Sequence, residues 1–174
     1  MPIPATTSLR SALNSDCSSL AALSIEVWLN SYIREGVSGF FADYALAEFT
    51  AGRFSRILDD PADQLFVSQN RIGIDGYVRI RKGRNSPAGT PSDTEIATLY
   101  VQPRHQGKGI GQRLLLAALD QCQTRGWAPP WLAVNSENAG AIAFYQRNGF
   151  SPVGQTHFQI QDTGYLNDVL QYGP

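Results

Sequence analysis

Apolar positions in the first third of the chain recur every three or four residues. Leu20, Leu23, Val27, Trp28 and Tyr32 fall on one face of a helix; Asn14, Ser15 and Asp16 offer N-caps before it, and Gly36 marks its end. A short strand over 7–12 (TSLRSA) precedes that helix. A second helix is predicted from about residue 41 to residue 58, with Ala47, Phe54 and Leu58 on one face and Pro61 just beyond. The period then changes. Leu65, Phe66 and Val67 have strand propensity, and NRIGIDG turns the chain into a second strand, Tyr77 to Arg81, which completes a hairpin. Residues 83–93 (GRNSPAGTPSD) form a loop, long for a hairpin connection and expected to be mobile. EIATLYVQP (95–103) is a strand stopped by Pro103, and RHQGKGIG (104–111) is a glycine-rich turn. Ile110 to Arg125 reads as a helix with Leu114, Leu115, Ala118, Leu119 and Cys122 facing inward and Gly126 as its C-terminal cap. A strand at 131–135 (WLAVN), a short helix from Asn138 to Gln146 and two strands near 152–160 and 166–172 complete the chain.

The predicted order is β-α-α-β-β-β-α-β-α-β-β. The strand-helix-strand unit over 95–135 makes one parallel pair with a right-handed crossover, and the remaining strands form antiparallel hairpins. The fold class is therefore α/β (α+β), a mixed and mostly antiparallel central sheet with helices on both faces. No internal repeat or linker divides the chain, so 1–174 is expected to be a single domain.

Composition narrows the chemistry. A chain of 174 residues can bury about 70% of its unfolded surface and needs no metal or disulfide staple. A net charge of −1 leaves no broad nucleic-acid footprint, and twelve arginines among fourteen basic residues read as composition bias. Cys17 and Cys122 form no CxxC pair, and His105 and His157 lie far apart, so no metal site is expected. Cys17, near a helix start, is read as an apolar filler ahead of a reactive thiol. No run of about 18 apolar residues and no cleavage-site pattern occurs, which predicts a cytoplasmic protein with no membrane partner.

Gly107, Gly109 and Gly111 alternate between a strand and a helix. Such glycines let backbone N–H groups converge without Cβ obstruction, and the helix N-terminus adds partial positive charge. Together they suit a phosphate or diphosphate, with Lys108 and Arg104 at the rim. A tight turn needing glycines for structure alone is the competing reading. The Walker A spacing is absent. The Rossmann fingerprint also fails, because the second strand ends in Val134 and Asn135 rather than an acid.

Arg104-His105-Gln106-Gly107-Lys108-Gly109 matches the Arg/Gln-x-x-Gly-x-Gly/Ala signature of the GNAT superfamily of N-acetyltransferases. Glu95 to Val101 resembles the family's preceding strand, and Trp131 to Val134 resembles the strand after the helix. Asn138-x-x-Ala141-x-x-Phe144-Tyr145-x-x-x-Gly149-Phe150 resembles the next family block, so the resemblance covers 95–150 in order and spacing. The N-terminal half is similar only loosely, as expected where a substrate site is built. WLNSYI, AIAFYQRNGF and the HF of THFQI are similar to a bacterial subgroup that includes spermine/spermidine acetyltransferases. Asn135-Ser136 stands where its members often carry Trp-Glu.

The resemblance implies acetyl-CoA as acyl donor and a splayed parallel strand pair at the cofactor site. Leu99, Tyr100 and Val101 would hold the pantetheine arm through their backbone, and an N–H near Tyr100 or Val101 would polarise the thioester carbonyl. Gln106, Gly107, Lys108, Gly109, Ile110, Gly111 and Gln112 would hold the pyrophosphate. Asn138 and Tyr145 would contact the cofactor from the next helix. Tyr145 would protonate the coenzyme A sulfur: a phenol of pKa about 10 suits a thiol of about 8.5. Core packing beside Phe144 is its competing reading. Glu95 is the candidate general base, acting through water; a solvated strand-edge carboxylate is the alternative.

The acceptor would be a primary amine, which has a pKa of about 10.4 and must lose a proton before it attacks. Glu35, Asp43, Asp162 and Asp168 could attract its cationic form, although solvation explains most such acids. Trp28 and Tyr32 line an acceptor pocket or pack in the core. His157 relays protons or is an ordinary surface histidine. A small amine such as a polyamine ranks ahead of a protein N-terminus or lysine. A non-catalytic acyl-CoA-binding module stays open as the second class of function. Proteins resembling this one are often homodimers, and that assembly is the expectation here.

Overall fold

The computed structural model describes residues 7–173. Strand β1 (Ser8–Ser11) leads through a 3-10 turn, Asn14–Asp16, into helix α1 (Cys17–Tyr32). Helices α2 (Gly39–Glu48) and α3 (Ala51–Asp59) follow, then strands β2 (Asp63–Gln69), β3 (Ile74–Lys82) and β4 (Thr94–Val101). Helix α4 (Ile110–Thr124), β5 (Trp131–Asn135), α5 (Ala139–Arg147), β6 (Phe150–Ile160) and β7 (Thr163–Tyr172) complete the order. The strands hydrogen-bond in the order β1-β2-β3-β4-β5-β7-β6. β1–β2, β5–β7 and β6–β7 are antiparallel, and β4–β5 is the parallel pair, with Glu95 opposite Trp131. This is the mixed, mostly antiparallel sheet that the sequence predicts.

Two compact units share the chain. Among the described residues, one comprises 7–79 with Thr98–Ala117, and the other comprises Ile80–Ala97 with 118–173. In the first, Leu20, Leu23 and Val27 of α1, Phe54 and Ile57 of α3, Leu65 and Val67 of β2, and Tyr77 of β3 form one buried cluster. Its polar members are matched. The Ser24 hydroxyl donates to the Leu20 carbonyl at 2.7 Å, so the Tyr77 hydroxyl, also at 2.7 Å, donates to Ser24. Burial pushes the Tyr77 phenol up to about 12, so it holds its proton at any ordinary pH. Cys17 is buried here, and desolvation ahead of the nearby Asp16 and Asp59 charges raises its thiol above the usual value. The filler reading holds for this residue. In the second unit, Leu132 and Val134 of β5, Phe150 and Ile160 of β6, and Val169 and Leu170 of β7 are buried.

The structure corrects three expectations. The helix predicted over 41–58 is two helices. Thr50 leaves the helical region at φ −121°, and its hydroxyl accepts from the Arg53 N–H at 3.2 Å, so it starts α3 as an N-cap. Thr50→Ala is expected to cost about 1 kcal/mol in urea denaturation, and Thr50→Ser almost nothing. The loop over 83–93 is pinned rather than mobile. Arg84 N–H donates to the Asp93 carbonyl, and the Ser92 hydroxyl, on a buried side chain, donates to the Pro129 carbonyl at 2.6 Å. β6 and β7 start earlier than predicted: β6 begins at Phe150, directly after Gly149, and β7 begins at Thr163, because the turn before it is made by Gln161 at a left-handed φ of 52°, where no glycine or asparagine signals it.

Candidate functional site

In the first unit, the second half of β4 feeds a 3-10 turn, Pro103–His105, and then the glycine turn. Gly107 and Gly109 adopt φ of +75° and +80°, a region costly for L residues, and a Cβ on either would meet nothing within 4 Å. These glycines are therefore required by backbone conformation, not by crowding, and the surface above them is open. The Arg113 N–H closes the first rung of α4 on the Gly109 carbonyl at 3.1 Å. The N–H groups of Ile110, Gly111 and Gln112 come before that rung and carry the positive end of the helix. Gln106 ties the turn back to the strand, its Nε2 donating to the Val101 carbonyl at 3.1 Å. The family signature also reads in the frame Gln106-Gly107-Lys108-Gly109-Ile110-Gly111, which puts its final glycine inside the first turn of α4.

Lys108 Nζ lies 3.5 Å from His105 Nδ1, and the largely exposed Arg104 lies 3.7 Å from Glu26. Two left-handed glycines, open space above them, a helix N-terminus and a rim lysine fit the diphosphate of a coenzyme A. Leu99 and Tyr100 are half-buried and Val101 is buried.

In the second unit, Glu95 near the start of β4 pairs with Arg84, Nε to Oε2 at 3.6 Å. That is an ion pair without hydrogen-bond geometry. The Arg84 carbonyl accepts from Trp131 Nε1 at 2.8 Å, which fixes the base of this arrangement. Asn138 caps α5, its Oδ1 accepting from the Ala141 N–H at 3.1 Å, and is otherwise exposed, which leaves its amide NH2 toward solvent.

Tyr145 sits on α5 between Phe144 and Phe150, ring centroids 5.2 and 5.6 Å away. Desolvation is the only influence on its phenol, which it pushes well up from the ordinary value. The ring packs, and the hydroxyl stays protonated. Asp168 accepts from the Ser136 hydroxyl at 2.7 Å and Gln155 Nε2 at 3.1 Å; these bonds, Gln155 first, hold its carboxyl below the usual range.

The acceptor candidates divide. Trp28 is buried at 3% exposure and stacks between Tyr32 and Tyr44, both at 4.8 Å, so packing explains it. Tyr32, Phe41 and Tyr44 remain half-buried around it, and Glu35 and Asp43, in the same α1–α2 segment, are exposed. Burial, and then the Glu48 charge, push the Tyr44 phenol up to about 12. Asp162 and His157 are exposed on the β6–β7 hairpin. Tyr44 and Phe41 were not singled out by sequence; their signal was the aromatic repeat at Phe40-Phe41 and Tyr44. Among the described residues, no cluster of histidine, cysteine and acids could hold a metal ion, and no helix is long and apolar enough to cross a membrane.

The sequence profile of the acetyltransferase (GNAT) family matches residues 27–150. An uncharacterised N-acetyltransferase of Mycobacterium tuberculosis is 28% identical over 119 residues, 68% of this chain and 72% of the relative. The N-alpha-acetyltransferase RimI of the same species is 35% identical over 101 residues, 58% of this chain and 60% of its own. Streptothricin acetyltransferase of Streptomyces lavendulae is 34% identical over 115 residues, 66% and 58%. The crystal structure of the PaiA N-acetyltransferase of Thermoplasma acidophilum with coenzyme A superposes with a TM-score of 0.74 at 18% identity, covering 96% of this chain and 99% of that one. The chain belongs to the acetyltransferase (GNAT) family. It is an N-acetyltransferase, and acetyl-CoA is its acyl donor.

Proposed function

We propose that the chain acetylates a small primary amine, a polyamine by its charge. The glycine turn with its two left-handed residues ahead of α4 is the observation that carries the cofactor half of this reading. Acetyl-CoA, when bound, supplies the activated acetyl group. Gln106 to Gln112 hold its diphosphate, the backbone of Leu99, Tyr100 and Val101 holds its pantetheine arm, and the Asn138 amide contacts it from α5. Tyr145 carries the proton that the leaving sulfur takes up. Glu95 takes the amine's proton through water. Tyr32, Phe41 and Tyr44 offer ring faces, and Glu35 and Asp43 offer charge, to a cationic amine. The similarity to streptothricin acetyltransferase, a small-molecule enzyme by its name, is in keeping with this choice.

A protein N-terminus is the second reading, favoured by the partial similarity to RimI and to the ribosomal protein bS18-alanine N-acetyltransferase of Escherichia coli, 43% identical over 58 residues. Coenzyme A release would be followed with purified protein, acetyl-CoA and a panel containing spermidine and an alanine-initiated peptide. A kcat/KM for spermidine at least about tenfold above the peptide, roughly 1.4 kcal/mol of transition-state preference, is expected. The reverse order would replace the first reading with the second.

A further inference from the structure

Asp75, Gly76 and Tyr77 follow one another on β3, and all three act on the end of β4. The Asp75 carbonyl accepts from the Gln102 N–H at 2.9 Å. Tyr77, anchored by its hydroxyl on Ser24, meets the Tyr100 ring edge-on at 5.8 Å and 76°. Between them, a Cβ built on Gly76 would stand 2.8 Å from the Tyr100 carbonyl oxygen, 3.1 Å from Leu114 Cδ1 and 3.4 Å from Ile110 Cγ2.

The first of these distances is informative. Ladder carbonyls lie near the plane of a sheet, and Cβ atoms stand above and below it. A carbonyl oxygen found where the neighbouring strand's Cβ belongs has left that plane, here toward the side chains of α4. In a trans peptide the C=O and the following N–H point in opposite directions. The Val101 N–H is therefore directed away from Gly76 and α4. The peptide that follows is held at both of its ends, its carbonyl (Val101) by Gln106 and its N–H (Gln102) by Asp75, which fixes the chain immediately after the Val101 N–H.

We propose that Gly76 is a positioning residue. Lacking a Cβ, it admits the Tyr100 carbonyl and thereby presents the Val101 N–H to the acyl-pantetheine arm. A glycine inside a strand commonly marks such a close backbone approach. The inference rests on the acetyl-CoA reading and assigns the role of one residue within it.

Calorimetric titration of Gly76→Ala with two ligands, acetyl-CoA and 3′-phospho-ADP, tests it. The variant is expected to bind acetyl-CoA about tenfold more weakly, the loss of one hydrogen bond to a desolvated group, and to bind the nucleotide half as the wild type does. Equal weakening of both ligands, no weakening of either, or recovery in Gly76→Ala/Leu114→Ala would overturn the proposal; recovery would trace the effect to crowding against α4. The wild type decides the matter even where Gly76→Ala does not fold. Its Val101 amide resonance should shift on addition of acetyl-CoA and stay in place with 3′-phospho-ADP, and an amide unmoved at saturating acetyl-CoA overturns the assignment. A wild type that binds neither ligand removes the acetyl-CoA reading as well, and so is distinguishable from failure of the Gly76 role alone.

Discussion

Tyr145→Phe is expected to lower kcat by about 10²- to 10³-fold while leaving acetyl-CoA affinity within about threefold of the wild type. The substitution removes one oxygen and keeps the ring that packs on Phe144 and Phe150. Thermal stability should not fall. Tyr145 is half-buried, and no hydrogen bond or charge engages its hydroxyl among the described residues, so its removal breaks no bond. Loss of turnover without loss of stability therefore separates a proton donor from a packing residue.

The pH dependence carries the same assignment. Burial raises the Tyr145 phenol, so the protonated form persists as pH rises through the ordinary phenol value of about 10. A buried phenol of raised pKa is a poor acid against a thiolate in water. A sulfur beside it is desolvated too, and its own proton affinity rises with that of the phenol. The wild-type kcat should then show no loss from deprotonation of a tyrosine between about pH 7 and pH 10. A kcat for Tyr145→Phe equal to the wild type with every amine tried would remove Tyr145 from the reaction and return it to the core.

Much of the site was legible because its signals are local. Pro103 stops a strand, glycines alternate over the next residues, and an apolar helical period follows. Each is a property of neighbouring residues, and together they specify strand, turn and helix without reference to the rest of the fold. Gly76 was equally visible as a letter, but its meaning depends on a carbonyl 24 residues further on, at Tyr100. Arg84 beside Glu95 was hidden similarly, since the pair forms across a loop whose order comes from bonds to Pro129 and Gln171. The break at Thr50 illustrates another limit. Apolar periodicity does not reveal it: Phe49 leaves the helical region at ψ 84° and ends α2, and the Thr50 hydroxyl then caps the start of α3.

Gly109→Trp is expected to abolish acetyl-CoA binding, with at least about a 100-fold loss of affinity, more than 2.7 kcal/mol. Two effects contribute, and they can be separated. The first is conformational: φ at Gly109 is +80°, where an L residue costs about 1–2 kcal/mol, so even alanine strains the turn. The second is occlusion. No atom lies within 4 Å of the Cβ position, so an indole is not forced into the protein and instead covers the surface over which the α4 N-terminus exposes its N–H groups. Strain of this size leaves a protein of ordinary stability folded. Gly109→Ala isolates the first effect and should weaken acetyl-CoA by about tenfold or less; the difference between the two variants measures occlusion. Gly126→Trp serves as a control, because Gly126 also has a left-handed φ, +66°, with open space, but lies after the C-terminal end of α4. It should lose similar stability and retain cofactor affinity. Equal loss of affinity at both glycines would mean that distortion of α4, not a diphosphate held at its N-terminus, governs binding.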